Sequence, residues 1–402
     1  MGSQKQVGIG IIGAGFLAET RGRCYGRISG VQARIVAVAD VSSAAAARYA
    51  ERYGVPRAVA DYREVLGMPE VDVVDLCVPN HLHRVVAEEA AAAGKHVICA
   101  KPLTAYVGQD LPAEATDAQI AGRDRRRMLA VATADAQAMV DAVRRAGVQL
   151  MYAENWIYAP AIRRAESLLL SSGATILEMR GGECHSGSHT PFSKVWRYSG
   201  GGSLVRLGPH PIGAMLYLKR REGLARNGRP IGPSAVVAEV GDLTKAVASG
   251  DAERHWIAGG WQDVENWATV IITFDDGSRA TAYASDAVLG GMESQLEVLA
   301  SNCHLRCNLS PNNLLQAYTP DPGVFSGEYL QEKLETTAGW NTPMPNEDWT
   351  SGHQAMCQDM IAAVADGRPA EVDGAFGLEV ARLIYTAYCA AAQGRRVPVS
   401  AE

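Results

Sequence analysis

The run Gly13-Ala14-Gly15-Phe16-Leu17-Ala18 places two glycines and a small residue where an apolar stretch passes into a helix-forming one. Glycine there lets the backbone approach a pyrophosphate, which the free amides and dipole of a helix N-terminus stabilise. Asp40 closes the next apolar run. A carboxylate at that point accepts hydrogen bonds from both hydroxyls of an adenosine ribose and repels a 2′-phosphate, so NAD is expected in preference to NADP. Gly13, Gly15, Phe16, Leu17 and Asp40 thus read as a dinucleotide cradle. Lys101 follows a later apolar run, where an ammonium must reach a cleft or be costly to hold. His210 offers an imidazole, a side-chain type suited to general-base work. Arg206, four residues earlier, adds a permanent cation. It grips a carboxylate, sulfonate or phosphate bidentately, or turns to pair with an acid such as Glu183 or Glu154.

The elements that must hold these groups follow from periodicity. Strands over 7–12, 33–38, 71–78 and 96–99 alternate with Ala-rich helices, one over 43–53 capped by Ser42 and one over 81–93 stopped by Gly94. That alternation is the signature of a doubly wound parallel sheet, the α/β Rossmann architecture. A polar segment over 107–128, with Pro112, Gly122 and the basic run Arg123 to Arg127, reads as an insertion: a solvated loop or short helix, or a lid. A helix over 133–146 and a strand over 149–153 complete the first domain, 1–153. Beyond a helix over 160–172, strands over 176–183, 236–240, 268–274, 279–284, 295–300 and 304–309 favour antiparallel pairing. The turn Asp275-Asp276-Gly277-Ser278 is a hairpin signal. The second domain, 154–375, is expected to be α+β with a mostly antiparallel open sheet. The helix within 376–402 is expected to pack back on the first domain.

Composition narrows the classes. The 402 residues are 47% hydrophobic and 20% charged, with 38 Lys and Arg against 44 Asp and Glu, a formal charge of −6. An acidic chain has no field to gather nucleic acid. No run is apolar enough to span a membrane, so none is expected as a partner, and the eight scattered cysteines, without a CxxC pair, suit reduced thiols in a cytoplasm. Cys303 and Cys307 read as packing.

Val78-Pro79-Asn80-His81-Leu82-His83, then Ala92-Ala93-Gly94-Lys95-His96-Val97-Ile98-Cys99-Ala100-Lys101-Pro102-Leu103, resembles the glucose-fructose oxidoreductase, inositol dehydrogenase and MocA (Gfo/Idh/MocA) family. The likeness continues through Gly200-Gly201-Gly202-Ser203-Leu204, Gly208-Pro209-His210 and Gly394-Arg395-Arg396-Val397. It implies that Pro79, Asn80, His83 and Lys101 sit beside a nicotinamide, that Lys101 polarises a substrate hydroxyl and that His210 takes its proton. It also implies a homo-oligomer, dimer or tetramer, built through the open face of the second sheet. The chain departs from the family pattern at Ala100, where glutamate is usual, and at Arg206 and Gly213, where aspartates are usual. A cation in place of a carboxylate suits an anionic substrate.

Tyr152, Glu154 and Asn155, with Trp156 and Tyr158, follow the domain crossover, where the resembling family builds a wall of its sugar pocket. His185, His189, Trp196 and Arg197 lie in strand-end loops, where substrate groups gather. A Cys184, His185, His189 metal site lacks a clear fourth ligand, so no metal is expected. Trp340 and Asn341, in a Gly- and Pro-rich loop, cover the pocket or pack on their own domain. The leading expectation is an NAD-dependent oxidoreductase acting on a secondary hydroxyl of a sugar, polyol or sugar acid, with an anionic carbohydrate-like substrate favoured. Two alternatives stand beside it: a redox-neutral hydrolase, lyase or epimerase that retains its NAD, and a non-catalytic NAD-binding sensor.

Overall fold

A computed structural model describes residues 5–188, 190–247 and 256–399. They form two compact units: residues 5–105, 131–158 and 352–381 in the first, and 106–130, 159–351 and 382–399 in the second. The chain therefore crosses between units more often than the expected boundaries at 153 and 375 allow. The first unit takes only residues 374–381 of the last helix, not all of 376–402.

In the first unit six strands pair in parallel: β1 Gln6–Ile12, β2 Gln32–Ala39, β3 Arg57–Val59, β4 Val73–Leu76, β5 His96–Ala100 and β6 Leu150–Ala153, in the order β3-β2-β1-β4-β5-β6. This is the doubly wound order. β1 reads QVGIGII because both faces of a parallel sheet are covered, and Val7 to Ile12 are all buried. Helices α1 Phe16–Tyr25, α2 Ser43–Tyr53, α3 Tyr62–Leu66 and α4 His83–Ala92 connect the strands. Ser42 caps α2 as expected, its hydroxyl accepting from the Ala45 amide at 3.3 Å, and Gly54 ends the helix in the left-handed region. The helix expected over 81–93 begins later, because Asn80–Leu82 forms a 3-10 turn first.

The 107–128 segment, read from sequence as a solvated loop, short helix or lid, contains one short helix and the start of a long one. It holds α5 Asp117–Ala121, opened by a Thr116/Gln119 capping box, and the start of α6 Arg125–Ala146. Arg125, Arg126 and Arg127 are thus the first turn of a 22-residue helix rather than a loop. Cations oppose the dipole there, and acids compensate. Asp124 accepts from the Arg127 amide at 3.0 Å, and Asp110 accepts from Arg123 at 3.0 Å and Arg127 at 2.7 Å. Burial pushes the Asp110 carboxyl up, but the bonds from Arg127, Tyr106 and Arg123 outweigh it and hold it at about 2.

The second unit is built on a seven-stranded sheet. β7 Ile176–Cys184, β8 Pro233–Gly241, β9 Trp267–Phe274, β10 Arg279–Ser285, β11 Glu293–Ala300 and β12 His304–Ser310 lie in the order β12-β11-β7-β10-β9-β8, with Val397–Pro398 added at the β8 edge. All pairs are antiparallel except β7 with β10, which run parallel. Helices α7 Pro160–Ser172, α8 Trp196–Ser199, α9 Ser203–Arg206 and α10 Pro209–Asn227 follow in chain order. α10 packs on β7 and β10 and is buried from Pro209 to Lys219. The other face is open: in one row Val237 pairs with Ile271, and Ile271 with Thr281. Val237 and Ile271 are exposed.

Candidate active site

In the first unit the β1–α1 turn is set by backbone. Gly13 adopts φ +94°, and a Cβ there would lie 2.4 Å from the Cys77 carbonyl oxygen, so only glycine fits. Gly15 is the N-cap of α1 without a side-chain cap, and a Cβ on it would meet nothing within 4 Å. Phe16 is exposed and Leu17 half-buried. The Asp40 carboxylate accepts from the amides of Ala14 and Ser42, each at 2.8 Å, which fixes its orientation and leaves lone pairs for further donors. Uncapped amides, open space beside them and an oriented acid at the end of β2 are the donor and acceptor set that a dinucleotide requires, so these residues fit NAD.

Pro79 is exposed, Asn80 is half-buried, and Lys101 is half-buried directly after the last residue of β5. His83 has a different task from the expected one. It is fully buried, with Nδ1 3.1 Å from the Pro102 carbonyl and 3.2 Å from that of Leu103, and Nε2 3.1 Å from that of Val78. The ring ties the loop after β4 to the loop after β5, and burial pushes its pKa down. It is a brace for Asn80 and Lys101.

The residues after β6 are also more interior than expected. Tyr152 and Glu154 are wholly buried and Asn155 nearly so. The Trp156 amide donates to Glu154 at 3.1 Å, and the Tyr158 hydroxyl to Asp359 at 2.9 Å. The Tyr152 hydroxyl has no hydrogen-bond partner among the described residues, and burial raises its pKa.

In the second unit the polar groups collect at strand ends. His210 sits in the first turn of α10, with Nε2 3.8 Å from Oε2 of Glu183, the penultimate residue of β7. His185 follows β7. Its Nδ1 accepts from the Gly187 amide at 3.0 Å. That Nδ1 lies 3.4 Å from Asp286. Asp286, directly after β10, takes Arg206 in a bidentate pair, 2.7 Å to Oδ2 and 3.1 Å to Oδ1. Burial pushes the Asp286 carboxyl up against the pull of Arg206. The acid that receives Arg206 bidentately is therefore neither of the two suggested from sequence, and the Arg206 charge is matched within the chain.

Trp196 and Arg197 are corrections. Trp196 is 1% exposed, its indole donating to the Tyr106 carbonyl at 3.0 Å beneath the Arg125 guanidinium, 4.3 Å from the ring centroid. Arg197 binds Asp117 at 2.6 Å and the Ala115 carbonyl. Both serve the core and the insertion of their own unit, because a strand-end aromatic is as useful for packing as for binding. Trp340 lies in a two-stranded pair, Ala317–Thr319 with Gly339–Asn341, its ring 5.5 Å from that of Tyr318. His189 lies outside the described residues. Among the described residues no three His, Cys, Asp or Glu gather as a metal site, and no helix is long and apolar enough to cross a membrane. All eight cysteines are free. Sequence reasoning missed Asp286, whose one signal is an acid immediately after the apolar run of β10.

With this geometry in hand, comparison with known proteins is specific. Residues 7–133 match the model of the Gfo/Idh/MocA family, described as an oxidoreductase family with an NAD-binding Rossmann fold. A levoglucosan dehydrogenase of Pseudarthrobacter phenanthrenivorans is 30% identical over 228 residues, 53% of this chain and about half, 51%, of its own length. A D-apiose dehydrogenase of Paraburkholderia graminis is 26% identical over 392 residues, 96% of this chain and 88% of its own. The crystal structure of GenD2 from gentamicin A biosynthesis, in complex with NAD, superposes with a TM-score of 0.78 at 24% identity, over 99% of this chain and 97% of the other. That last likeness extends the shared fold to nearly the whole chain.

Proposed function

We propose that the protein is an NAD-dependent dehydrogenase of a secondary hydroxyl on a sugar, polyol or sugar acid. The observation that carries this reading is the His210–Glu183 pair at the end of β7, in a chain whose first unit holds a dinucleotide cradle. The dehydrogenases of levoglucosan and D-apiose among its relatives support the substrate class. Lys101, as a three-donor ammonium, hydrogen-bonds the hydroxyl oxygen and favours its deprotonation. His210 takes the proton, and the Glu183 carboxylate stabilises the imidazolium that results. NAD, when bound along Gly13, Gly15 and Asp40, supplies the acceptor for the hydride leaving the carbinol carbon. Asp286 restores at a new position a carboxylate that Arg206 displaces from the family pattern.

A second reading retains NAD through the cycle, with His185 as the additional base that redox-neutral chemistry needs. It is supported by the buried placement of His185 against Asp286. The protein is further proposed to work in the cytoplasm, supported by its eight free thiols, and as a homo-oligomer through the exposed Val237–Ile271 row.

The test is to denature freshly purified protein, weigh the released small molecules, and follow NADH formation with sugars, polyols and sugar acids. NADH formation with one of these classes, abolished in His210→Ala, is the expected result. Near one NAD per chain with product but no net NADH overturns it in favour of the redox-neutral reading.

A further inference from the structure

Lys333 is the one non-glycine residue at positive φ among the described residues, at +64°. A side chain in that region is strained, so something must hold it there. The neighbours do: the Gln331 side-chain carboxamide donates to the Met292 carbonyl at 3.3 Å, and the Gly290 backbone amide donates to the Glu335 carboxylate at 3.2 Å. Residues 331–335 are thus pinned to the loop that leaves Asp286. The Lys333 side chain is only 14% exposed. Its ammonium has three donors to satisfy, yet among the described residues it makes no hydrogen bond. Its nearest acid, Glu332, stands 4.0 Å away.

The charge is not met from the Asp286 side either. Both Asp286 oxygens are taken by Arg206, and that pair is neutral. Arg206 repels the Lys333 ammonium and Asp286 attracts it, while burial presses its pKa down. A strained backbone and a largely buried, under-compensated cation are two costs with no return in folding. Such costs gather where a ligand makes them good.

We propose that Lys333 is a specificity-determining residue that binds an anionic oxygen group, carboxylate or sulfate, carried by the carbohydrate substrate. The proposal rests on the dehydrogenase reading for the substrate's carbohydrate nature, and it moves the anion preference from Arg206, whose charge is matched, to Lys333. Lysine acts here as a point charge with three rotatable donors, able to serve carboxylate or sulfate oxygens without a fixed fork.

The experiment is isothermal titration of the NAD-loaded full chain with glucuronate, galacturonate, gluconate and glucose 6-sulfate, each beside its neutral counterpart. At least one acid is expected to bind at least tenfold more tightly than its counterpart, and Lys333→Gln is expected to erase that difference while changing neutral affinities less than twofold. Lys333→Gly, which accepts φ of +64° without strain, should lose the acid affinity in the same way while its melting midpoint stays at or above that of the parent. That separates charge from folding. The proposal is overturned if no acid outbinds its counterpart, or if the preference survives in Lys333→Gln. NADH formation is followed in parallel: its absence with every compound overturns the dehydrogenase reading and leaves the binding result to judge Lys333 alone.

Discussion

The β1–α1 turn and the strand-end cluster of the second unit assemble their polar groups by opposite means. The turn is made of backbone: Gly13 at φ +94°, Gly15 beside open space, and amides that need no particular side chain. The cluster is made of side chains: His210 with Glu183, Arg206 with Asp286. A backbone site tolerates almost no substitution, since its shape is its chemistry. A side-chain site can exchange charges between positions, provided that partners change together.

The largest effect expected from breaking this comparison is chemical. His210→Ala should lower kcat by about 10²- to 10⁴-fold, the range for a general base, measured as NADH formation at saturating substrate. Next comes the charge pair: Asp286→Asn strands Arg206 and should cost about 3–5 kcal/mol in denaturant unfolding, whereas the double variant Arg206→Met/Asp286→Leu should recover most of it. If the double variant is no better than the single one, the pair is not exchangeable and the contrast fails. Gly13→Ala has no such rescue; strain of about 1–3 kcal/mol should appear in stability, with NAD affinity lost as well, by titration. The smallest effect is a pH dependence. Burial, with Glu332 and Asp348 nearby, pushes the Glu347 carboxyl from its ordinary 4.5 up to about 7 against the hydrogen bond from Tyr329. The folded chain therefore holds this proton more tightly than the unfolded one. Its contribution is full below pH 4.5 and is lost as pH rises through 7, and Glu347→Gln should flatten the melting midpoint across that window.

The same contrast explains what the sequence disclosed. Gly13, Gly15, Asp40 and the Ser42 cap were legible because local geometry admits few other residues, and their spacing is their meaning. His210 and Glu183 were each visible, but nothing local said that they meet. Asp286 stands 80 positions from Arg206, and only the sheet brings them together. Trp196 and His83 show the reverse error. An aromatic in a loop and a histidine near a cofactor motif look functional in sequence, and packing gives one to the core and the other to three carbonyls. The basic run at 125–127 looked like solvated loop because its charges hid a helix that Asp110 and Asp124 make affordable.

The lone parallel pair of the second sheet, β7 with β10, has an evolutionary consequence. Cys184 faces Ser285, so the two strands release their chains side by side at one rim. Had they run antiparallel, the loop carrying His185 and the loop carrying Asp286 would begin a strand length apart, roughly 20 Å. New specificities can therefore arise by rewriting two adjacent loop beginnings, one mutation compensating the other, while the ladder beneath them is inherited unchanged.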